Sequence, residues 1–325
     1  MGEAENVLVV ENLKKYFETT FGTVRAVDDI SFDVRFGETF GLVGESGSGK
    51  STTGYLTMGI YTPTSGKILF KDRDISVHTL KRPKHIKKGM SIVFQDPASS
   101  LNPSKTIREI VGLPLKVHGL VSNSSELTEK VAELLQVVEL PPERFMHRRP
   151  GDLGGGEKQA TAIASAIATS PSFVVLDEPT SSLDVSIQAK IIKILMKLQQ
   201  ELKLSYLFIT HDLSLMRNVA SRVAIMYLGK ICEYAPARLF FHNPLHPYTK
   251  MLLSSVPVLT DEEEALKPKD VKSTGEVSSA INPPPGCRFH PRCPFATKIC
   301  KVKEPEFILT EPRHYVACHL YTKKR

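Results

Sequence analysis

Residues 44–52 of the chain read Gly-Glu-Ser-Gly-Ser-Gly-Lys-Ser-Thr and decide the fold. They match the phosphate-loop pattern G-x-x-x-x-G-K-[ST] at every fixed position. The apolar residues 39–43 suit a buried parallel strand, and the residues from 52 onward can continue as a helix, so the glycine-rich turn lies between a strand and a helix N-terminus. A merely flexible Gly/Ser turn does not account for these flanks. The stretch therefore predicts an α/β fold built around a phosphate cradle.

The residue types in this loop each suit a step of phosphate binding. Gly44, Gly47 and Gly49 let the backbone approach an anion closely and turn its N–H groups inward. Lys50 is expected to reach the β- and γ-phosphates, and the Ser51 hydroxyl to bind Mg²⁺. The other positions of the loop that we expect to contact the nucleotide are Ser46, Ser48 and Thr52.

The composition is that of an ordinary globular protein. The 325 residues are 41% hydrophobic and 24% charged, and the length suffices for one large domain and a smaller one. The sequence has no run of about 18 apolar residues and no signal-peptide pattern at its start, so we expect the chain to stay in the cytosol. The net charge of +7 is partly concentrated in residues 81–88 and 323–325. Such runs are solvated surface or, alternatively, contact nucleic acid or an anionic membrane.

The first part of the chain predicts an antiparallel β-rich lobe. Runs rich in β-branched residues at 7–10, 24–27 and 30–34 read as strands, with a turn at Asp28 and Asp29 between the last two.

The middle of the chain predicts an inserted helical subdomain, at about residues 96–160. Apolar residues recur at helical spacing from 106 to 140. The subdomain ends in three glycines, Gly154, Gly155 and Gly156, which precede a further helix. The exposed N-terminus of that helix suits an anion.

Two later apolar runs end in polar residues. Residues 173–176 lead into Asp177 and Glu178, which suits Mg²⁺ binding by the first carboxylate and activation of a water by the second. Residues 206–210 lead into His211. Since α/β sheets place their ligands at the carboxyl ends of the strands, this histidine could contact a γ-phosphate, and the alternative interpretation of the histidine by itself is a capping residue.

These motifs together resemble the nucleotide-binding subunit of an ATP-binding-cassette (ABC) transporter over about residues 6–255. Six motifs occur in the family's order: the Walker A loop at 44–51, the Q-loop Gln95, the signature loop at 153–157, the Walker B strand at 173–178, the D-loop at 182–184 and the switch His211. The segments 94–97, 100–103, 183–189 and 243–250, the last reading Asn-Pro-Leu-His-Pro-Tyr-Thr-Lys, resemble the oligopeptide/dipeptide importer group.

The resemblance implies an ATP-hydrolysing P-loop NTPase with ATP and Mg²⁺ as cofactors. It implies that Glu178 is the general base, that Gln95 touches the Mg²⁺ shell and that Phe17, or alternatively Tyr16, stacks on the adenine. Each ATP would lie between one chain's phosphate loop and the other chain's signature loop. The resemblance implies five further nucleotide contacts, which are Gly154, Gly155, Gly156, Glu157 and Asp184.

The resemblance also implies partners. These are a second ABC ATPase, two transmembrane permease subunits and, through the complex, an extracytoplasmic substrate-binding protein; no nucleic acid is expected. The chain would lie peripherally on the cytoplasmic face of the cell membrane. Its cargo would be a peptide, although importers of this type also carry oligosaccharides or nickel. A soluble ABC-type ATPase acting on nucleic acid is the alternative, but such proteins usually carry two cassettes or a long coiled coil.

The signature loop departs from the family pattern. The family reads Leu-Ser-Gly-Gly-Gln, whereas residues 153–157 read Leu-Gly-Gly-Gly-Glu. The missing serine hydroxyl would donate a charge-assisted bond to the γ-phosphate worth about 1.5–3 kcal/mol. Glu157 adds an anion where a neutral amide usually lies. We therefore expect a heterodimer with one strong and one weak ATP site.

The tail, residues 256–325, predicts a small metal-binding extension beside the nucleotide-binding domain of residues 1–255. A linker-like Pro-Pro-Pro-Gly at 283–286 precedes Cys287, Cys293, Cys300 and Cys318. Four thiolates at this spacing can surround one [4Fe–4S] cluster, and zinc is the alternative. Residues 287–294 resemble the corresponding tail of peptide-importer ATPases. The fifth cysteine, Cys232, is predicted to be a small, half-buried residue near a strand.

Overall fold

The computed structural model describes residues 5–256, 268, 271 and 279–322. The predicted basic residues 323–325 lie outside this part of the chain. The strands are β1 (Asn6–Thr19), β2 (Gly22–Arg35), β3 (Thr39–Val43), β4 (Ser65–Phe70), β5 (Arg73–Asp74), β6 (Met90–Val93), β7 (Phe173–Asp177), β8 (Ser205–Thr210), β9 (Arg222–Tyr227), β10 (Lys230–Pro236), β11 (Phe307–Glu311) and β12 (His314–Ala317). The α-helices are α1 (Lys50–Met58), α2 (Lys84–Lys88), α3 (Pro97–Ser100), α4 (Ile107–Val117), α5 (Ser124–Val137), α6 (Pro142–Phe145), α7 (Gly155–Ile167), α8 (Val185–Leu202), α9 (Leu213–Val219), α10 (Ala237–His242) and α11 (Pro247–Ser254).

The larger sheet has the strand order β11-β12-β10-β9-β3-β8-β7-β6. Its strands β9, β3, β8, β7 and β6 are parallel, and every residue of β3, β7 and β8 is buried. Buried parallel strands read as continuous apolar runs, which is why these three were recognisable in the sequence. Because their carboxyl ends meet at one edge, the loops that follow them converge there.

The smaller sheet, β2-β1-β4-β5, is antiparallel and forms the predicted N-terminal lobe. The predicted turn at Asp28 and Asp29 is wrong, since β2 runs through both residues. The strand register shifts at this point and Asp29 has a φ of 65°, as in a β-bulge. Asp28 is buried here, because it accepts hydrogen bonds from Tyr16 and from the distant Arg288.

The helical subdomain is confirmed. It contains α4, α5 and α7, which pack on one another, and α5 buries Leu127, Val131 and Leu135 at the predicted spacing. Thr106 caps α4: its hydroxyl accepts from the Glu109 N–H, while the Glu109 carboxylate accepts from the Thr106 N–H at 2.9 Å.

The described part of the tail packs directly on the nucleotide-binding domain. The β11–β12 hairpin extends the larger sheet, because β12 pairs with β10 through Val316 and Glu233. The buried Glu233 also bonds His314 of β12 at 2.7 Å. The domain boundary near residue 255 stays a prediction, since residues 257–267 lie outside the described part. Within the described ranges, no helix is long and apolar enough to cross a bilayer.

Candidate active site

A cleft of about 680 Å³ lies at the carboxyl edge of the parallel strands. It brings together the phosphate loop after β3, Glu178 after β7 and His211 after β8. The residues lining it are Val24, Ala26, Gly44, Glu45, Ser46, Gly47, Gly49, Lys50, Ser51, Thr52, Gln95, Glu178, His211, Leu252 and Ala280.

The phosphate loop leads into α1, as its sequence predicts. Gly47 and Gly49 have φ values of 76° and 104°, which glycine adopts without strain. Position 44 has no room for a side chain, because a Cβ there would lie 2.1 Å from the Met226 carbonyl oxygen. Lys50 is buried and its Nζ donates to the Gly44 and Glu45 carbonyls at 2.8 and 2.9 Å. Burial lowers the pKa of Lys50, and the nearby carboxylates oppose this effect.

Ser51 and Asp177 form the predicted Mg²⁺ position. The Ser51 hydroxyl donates to Asp177 Oδ1 at 2.8 Å. The second oxygen, Oδ2, is buried and has no hydrogen-bond partner among the residues described. Burial raises the pKa of Asp177, and the Ser51 hydrogen bond opposes this effect. A hydroxyl next to a carboxylate oxygen that lacks a partner is an oxygen donor set that fits Mg²⁺.

Gln95 and His211 converge on Glu178. The Gln95 Nε2 donates to Glu178 Oε2 at 3.3 Å, and the His211 Nδ1 lies 3.2 Å from the same oxygen. Glu178 has a φ of 45°, and its N–H donates to the Ile209 carbonyl of β8. Its backbone is thus held while its carboxylate lines the cleft.

Seven of the predicted nucleotide contacts lie away from the cleft lining, and two of these, Ser48 and Phe17, lie in or near the phosphate-loop side of the chain. The Ser48 hydroxyl is buried beneath the loop, and its N–H donates to the Glu45 carbonyl. Phe17 packs edge-on against Tyr61, while its strand partner Val24 lines the cleft. The alternative aromatic, Tyr16, donates to Asp28, and burial with this bond raises the pKa of Tyr16 to about 12.

The signature loop lies apart from the cleft lining, at the N-terminus of α7. The Glu157 carboxylate turns back on its own helix, where Oε2 accepts from the Gly154 N–H at 2.9 Å. Asp184 caps α8 by accepting from the Ile187 N–H at 3.0 Å, and hydrogen bonds from Ser186 and Ile187 lower the pKa of Asp184. The three glycines and Asp184 are therefore available to a second chain.

The four tail cysteines are free thiols, of which Cys318 is buried and the other three are half-buried. Burial raises the pKa of Cys287 to about 11 and that of Cys318 to about 12, with further contributions from the charges of the other tail cysteines. Within the described ranges, no group of three or more His, Cys, Asp or Glu side chains is arranged to hold a metal ion. Cys232 lies in β10, as the prediction of a residue near a strand implies, but it is buried rather than half-buried.

Three residues around the site were not found from the sequence. Glu45 lies in the phosphate loop, Tyr248 in α11 and Arg292 between two of the cysteines. The Tyr248 hydroxyl accepts from the Glu45 N–H at 3.0 Å, and Arg292 forms an ion pair with Glu45. The sequence feature that could have identified them is that all three lie in segments that resemble the importer group.

Comparisons with known proteins agree with this geometry. The ABC transporter family profile matches residues 27–181, and the profile of the oligopeptide/dipeptide transporter C-terminal region matches residues 232–300. The chain is 47% identical to the oligopeptide transport ATP-binding protein AppF of Bacillus subtilis (strain 168), over 98% of each protein. It is 42% identical to the putative oligopeptide transport ATP-binding protein YkfD of the same strain, over 97% of this chain and 95% of the relative. The dimeric ATP-binding cassette MJ0796, solved in a post-hydrolysis state with ADP and Pi, matches with a TM-score of 0.64 and 28% identity, over 71% of this chain and 99% of that chain.

Proposed function

Because the chain belongs to the ATP-binding subunits of oligopeptide ABC importers, and is thus an ATPase that powers peptide import, we propose that it acts in an asymmetric heterodimer with Glu178 as general base. ABC ATPases of this kind work as dimers with membrane permeases. Our proposal adds that the second ATPase differs from this chain, and that two permease subunits and an extracytoplasmic binding protein complete the importer. The chain would lie peripherally on the cytoplasmic face of the membrane.

The convergence of Gln95 and His211 on Glu178 carries the catalytic part of the proposal. A carboxylate held by two polar side chains at the edge of a phosphate cleft is placed to take a proton from an attacking water. With ATP bound, His211 would turn from Glu178 toward the γ-phosphate. Gln95, which donates to the Glu178 carboxylate, would also contribute to the Mg²⁺ shell.

Mg²⁺ fits the position between Ser51 and Asp177, where it would neutralise charge on the β- and γ-phosphates. Asp177 would hold it through the carboxylate oxygen that lacks a partner in the described chain, and the Ser51 hydroxyl would rotate from Asp177 toward the metal. Lys50 would exchange its carbonyl partners for phosphate oxygens. The ADP and Pi in the MJ0796 structure support a nucleotide in this cleft.

The composition of the signature loop supports asymmetry between the two ATP sites. Gly154 has no hydroxyl to offer the partner's nucleotide, and Glu157 brings a carboxylate to the same helix N-terminus. The site on this chain's phosphate loop is complete if the partner brings an intact signature loop. We expect vigorous hydrolysis from the heterodimer, and hydrolysis at the normal rate by this chain alone would contradict the proposal.

We also propose that Cys287, Cys293, Cys300 and Cys318 bind one [4Fe–4S] cluster with a structural role. The hydrogen bond from the Cys287 N–H to the Cys300 carbonyl at 2.9 Å supports it, because it joins two of the four cysteines, and the separations of the other two leave enough chain to bring their thiolates to the same centre. The segment has few large apolar residues, so a metal centre would supply order that a small core does not.

Anaerobic purification with iron and sulfide analysis tests the cluster. We expect about four irons and four sulfides per chain. Cys300→Ala should remove them, whereas the matched control Cys232→Ala, outside the set of four, should keep them. Colourless protein with one zinc and no sulfide would contradict the cluster and favour the zinc alternative.

A further inference from the structure

A buried arginine of the tail, Arg292, forms an ion pair with Glu45 of the phosphate loop. Arg292 Nη1 and Nη2 donate to Glu45 Oε2 and Oε1 at 2.8 and 3.1 Å, so both carboxylate oxygens are held in a bidentate pair. The Arg292 side chain is only 8% exposed, and the Glu45 side chain is 29% exposed. Bidentate, charge-assisted pairs fix geometry more strongly than single hydrogen bonds. The tail thus holds a side chain next to the first glycine of the cradle.

The peptide groups of Glu45 are held as well. Its N–H donates to the Tyr248 hydroxyl at 3.0 Å, and its carbonyl accepts from Lys50 Nζ at 2.9 Å. Glu45 is therefore fixed by α11, by the tail and by the lysine that we expect to reach the phosphates. A movement of Arg292 would be transmitted to Lys50 through this one residue.

An aromatic cluster sets the position of Arg292. Phe289 is 1% exposed and its ring lies 5.4 Å from Tyr227 and 5.2 Å from Tyr248, between centroids. The Arg292 guanidinium lies 5.7 Å from the Phe289 ring centroid and 5.8 Å from that of Tyr227. Since Phe289 and Arg292 belong to the segment between Cys287 and Cys293, Arg292 reaches Glu45 only when this segment is docked.

We propose that Arg292 is a positioning residue, which acts through Glu45 to hold the phosphate loop in the shape that binds nucleotide. The docked tail thereby sets the ATP affinity of the cleft. Glu45 lines the cleft and Arg292 is not among the lining residues, so the action of Arg292 on the nucleotide is indirect. Glu45, Tyr248 and Arg292 join three segments that resemble the importer group, at 44–51, 243–250 and 287–294, so one contact network explains why the three occur together. It rests on the proposed role of residues 44–52 as the nucleotide cradle.

The test measures the affinity of the full-length chain for a fluorescent ATP analogue, together with thermal unfolding. We expect Arg292→Gln and Glu45→Gln each to raise the Kd about 10-fold, because either change leaves one charge of the pair without its partner. The double variant should bind no more weakly than the singles, since both act through one contact. Arg292→Lys should lie between wild type and Arg292→Gln, because lysine keeps the charge but not the fork. In the assembled transporter, the single variants should raise the KM for ATP more than they lower kcat.

Arg313→Gln is the matched control, since Arg313 is an exposed arginine of the same tail, and it should leave the Kd unchanged. An Arg292→Gln protein that unfolds at a lower temperature yet binds the analogue as wild type does would overturn the inference, because the pair would then be structural only. If Arg292→Gln fails to fold, Arg292→Lys, Glu45→Gln and their double variant replace it. Increases in Kd that multiply in the double variant would also overturn the inference, because the two residues would then act independently. Lys50→Ala separates the two proposals: wild-type affinity in that variant would reject the nucleotide cradle itself.

Discussion

The two glycine-rich loops of this chain differ in what determines their sequences. In the phosphate loop, a Cβ on Gly44 or Gly49 would lie 2.1 Å from a backbone oxygen of the same chain. In the signature loop, a Cβ on Gly154 would meet Glu157 Oε2 at 3.8 Å, an ordinary contact distance. Gly44 and Gly49 are therefore constrained by the fold of their own chain, and so is Gly156 of the signature loop, where a Cβ would lie 2.5 Å from Ile187 Cγ2. Gly154 has no such constraint, and under the proposed function the requirement at this position comes from the nucleotide of a second chain. Position 154 can therefore depart from the family pattern without a steric clash.

The largest effect is expected on the phosphate-loop side, at Glu178. Glu178→Gln removes the base but keeps a side chain of the same shape beside Gln95 and His211. Hydrolysis at this site should fall by about 10²- to 10⁴-fold, the usual contribution of a general base. ATP binding should persist and trap a closed dimer. The measurement is ATPase activity and nucleotide retention in the reconstituted transporter, and a normal rate would show that another group is the base.

The next effect is a gain on the signature-loop side. Gly154→Ser supplies the hydroxyl that the family pattern has, in a backbone conformation that serine adopts readily. A bond of about 1.5–3 kcal/mol to the γ-phosphate would raise activity at the partner's site by about 10- to 150-fold. Single-turnover hydrolysis in the Glu178→Gln background isolates that site, because the trapped dimer keeps ATP intact on this chain's own phosphate loop while the partner's site can still cleave its ATP once. No gain there would mean that the serine is not what this site lacks.

A pair of identical substitutions compares the two loops directly. Gly44→Ala forces a methyl group against the Met226 carbonyl and should lower the free energy of unfolding by about 1–3 kcal/mol, with loss of ATP binding. Gly154→Ala should change it by less than about 0.5 kcal/mol. Chemical denaturation of the two full-length variants is the measurement. Equal losses of unfolding free energy would remove the distinction between position 44, constrained by its own fold, and position 154, constrained by a partner.

The same distinction explains what the sequence could predict. The strands β3, β7 and β8 are continuous apolar runs that end in functional residues, so local patterns were sufficient to place the cleft. The segment at Asp28 reads as a turn by itself, yet it is a strand, because Arg288, 260 positions away, compensates the buried carboxylate. Glu45 and Arg292 are 247 positions apart, and no local pattern connects them. Pairs brought together only by the tertiary fold were the ones missed.

The smallest effect is expected for Glu157→Gln, which should change stability and activity in opposite directions. This carboxylate accepts from the Gly154 N–H at the positive end of α7, which stabilises the helix by about 0.3–1 kcal/mol through its charge. Glu157→Gln keeps an oxygen acceptor but loses the charge, so the free energy of unfolding should fall by about that amount. Activity at the partner's site should rise, because an anion is removed from the helix N-terminus that the proposal places against the γ-phosphate.

Glu133→Gln, on the exposed face of α5, makes the same change away from a helix N-terminus and should alter neither quantity. Denaturation at low ionic strength and single-turnover ATPase assays in the Glu178→Gln background measure the two effects. If stability and activity both fell, the carboxylate would be supporting the partner's nucleotide site rather than repelling its phosphate, and the asymmetry would then rest on Gly154 alone.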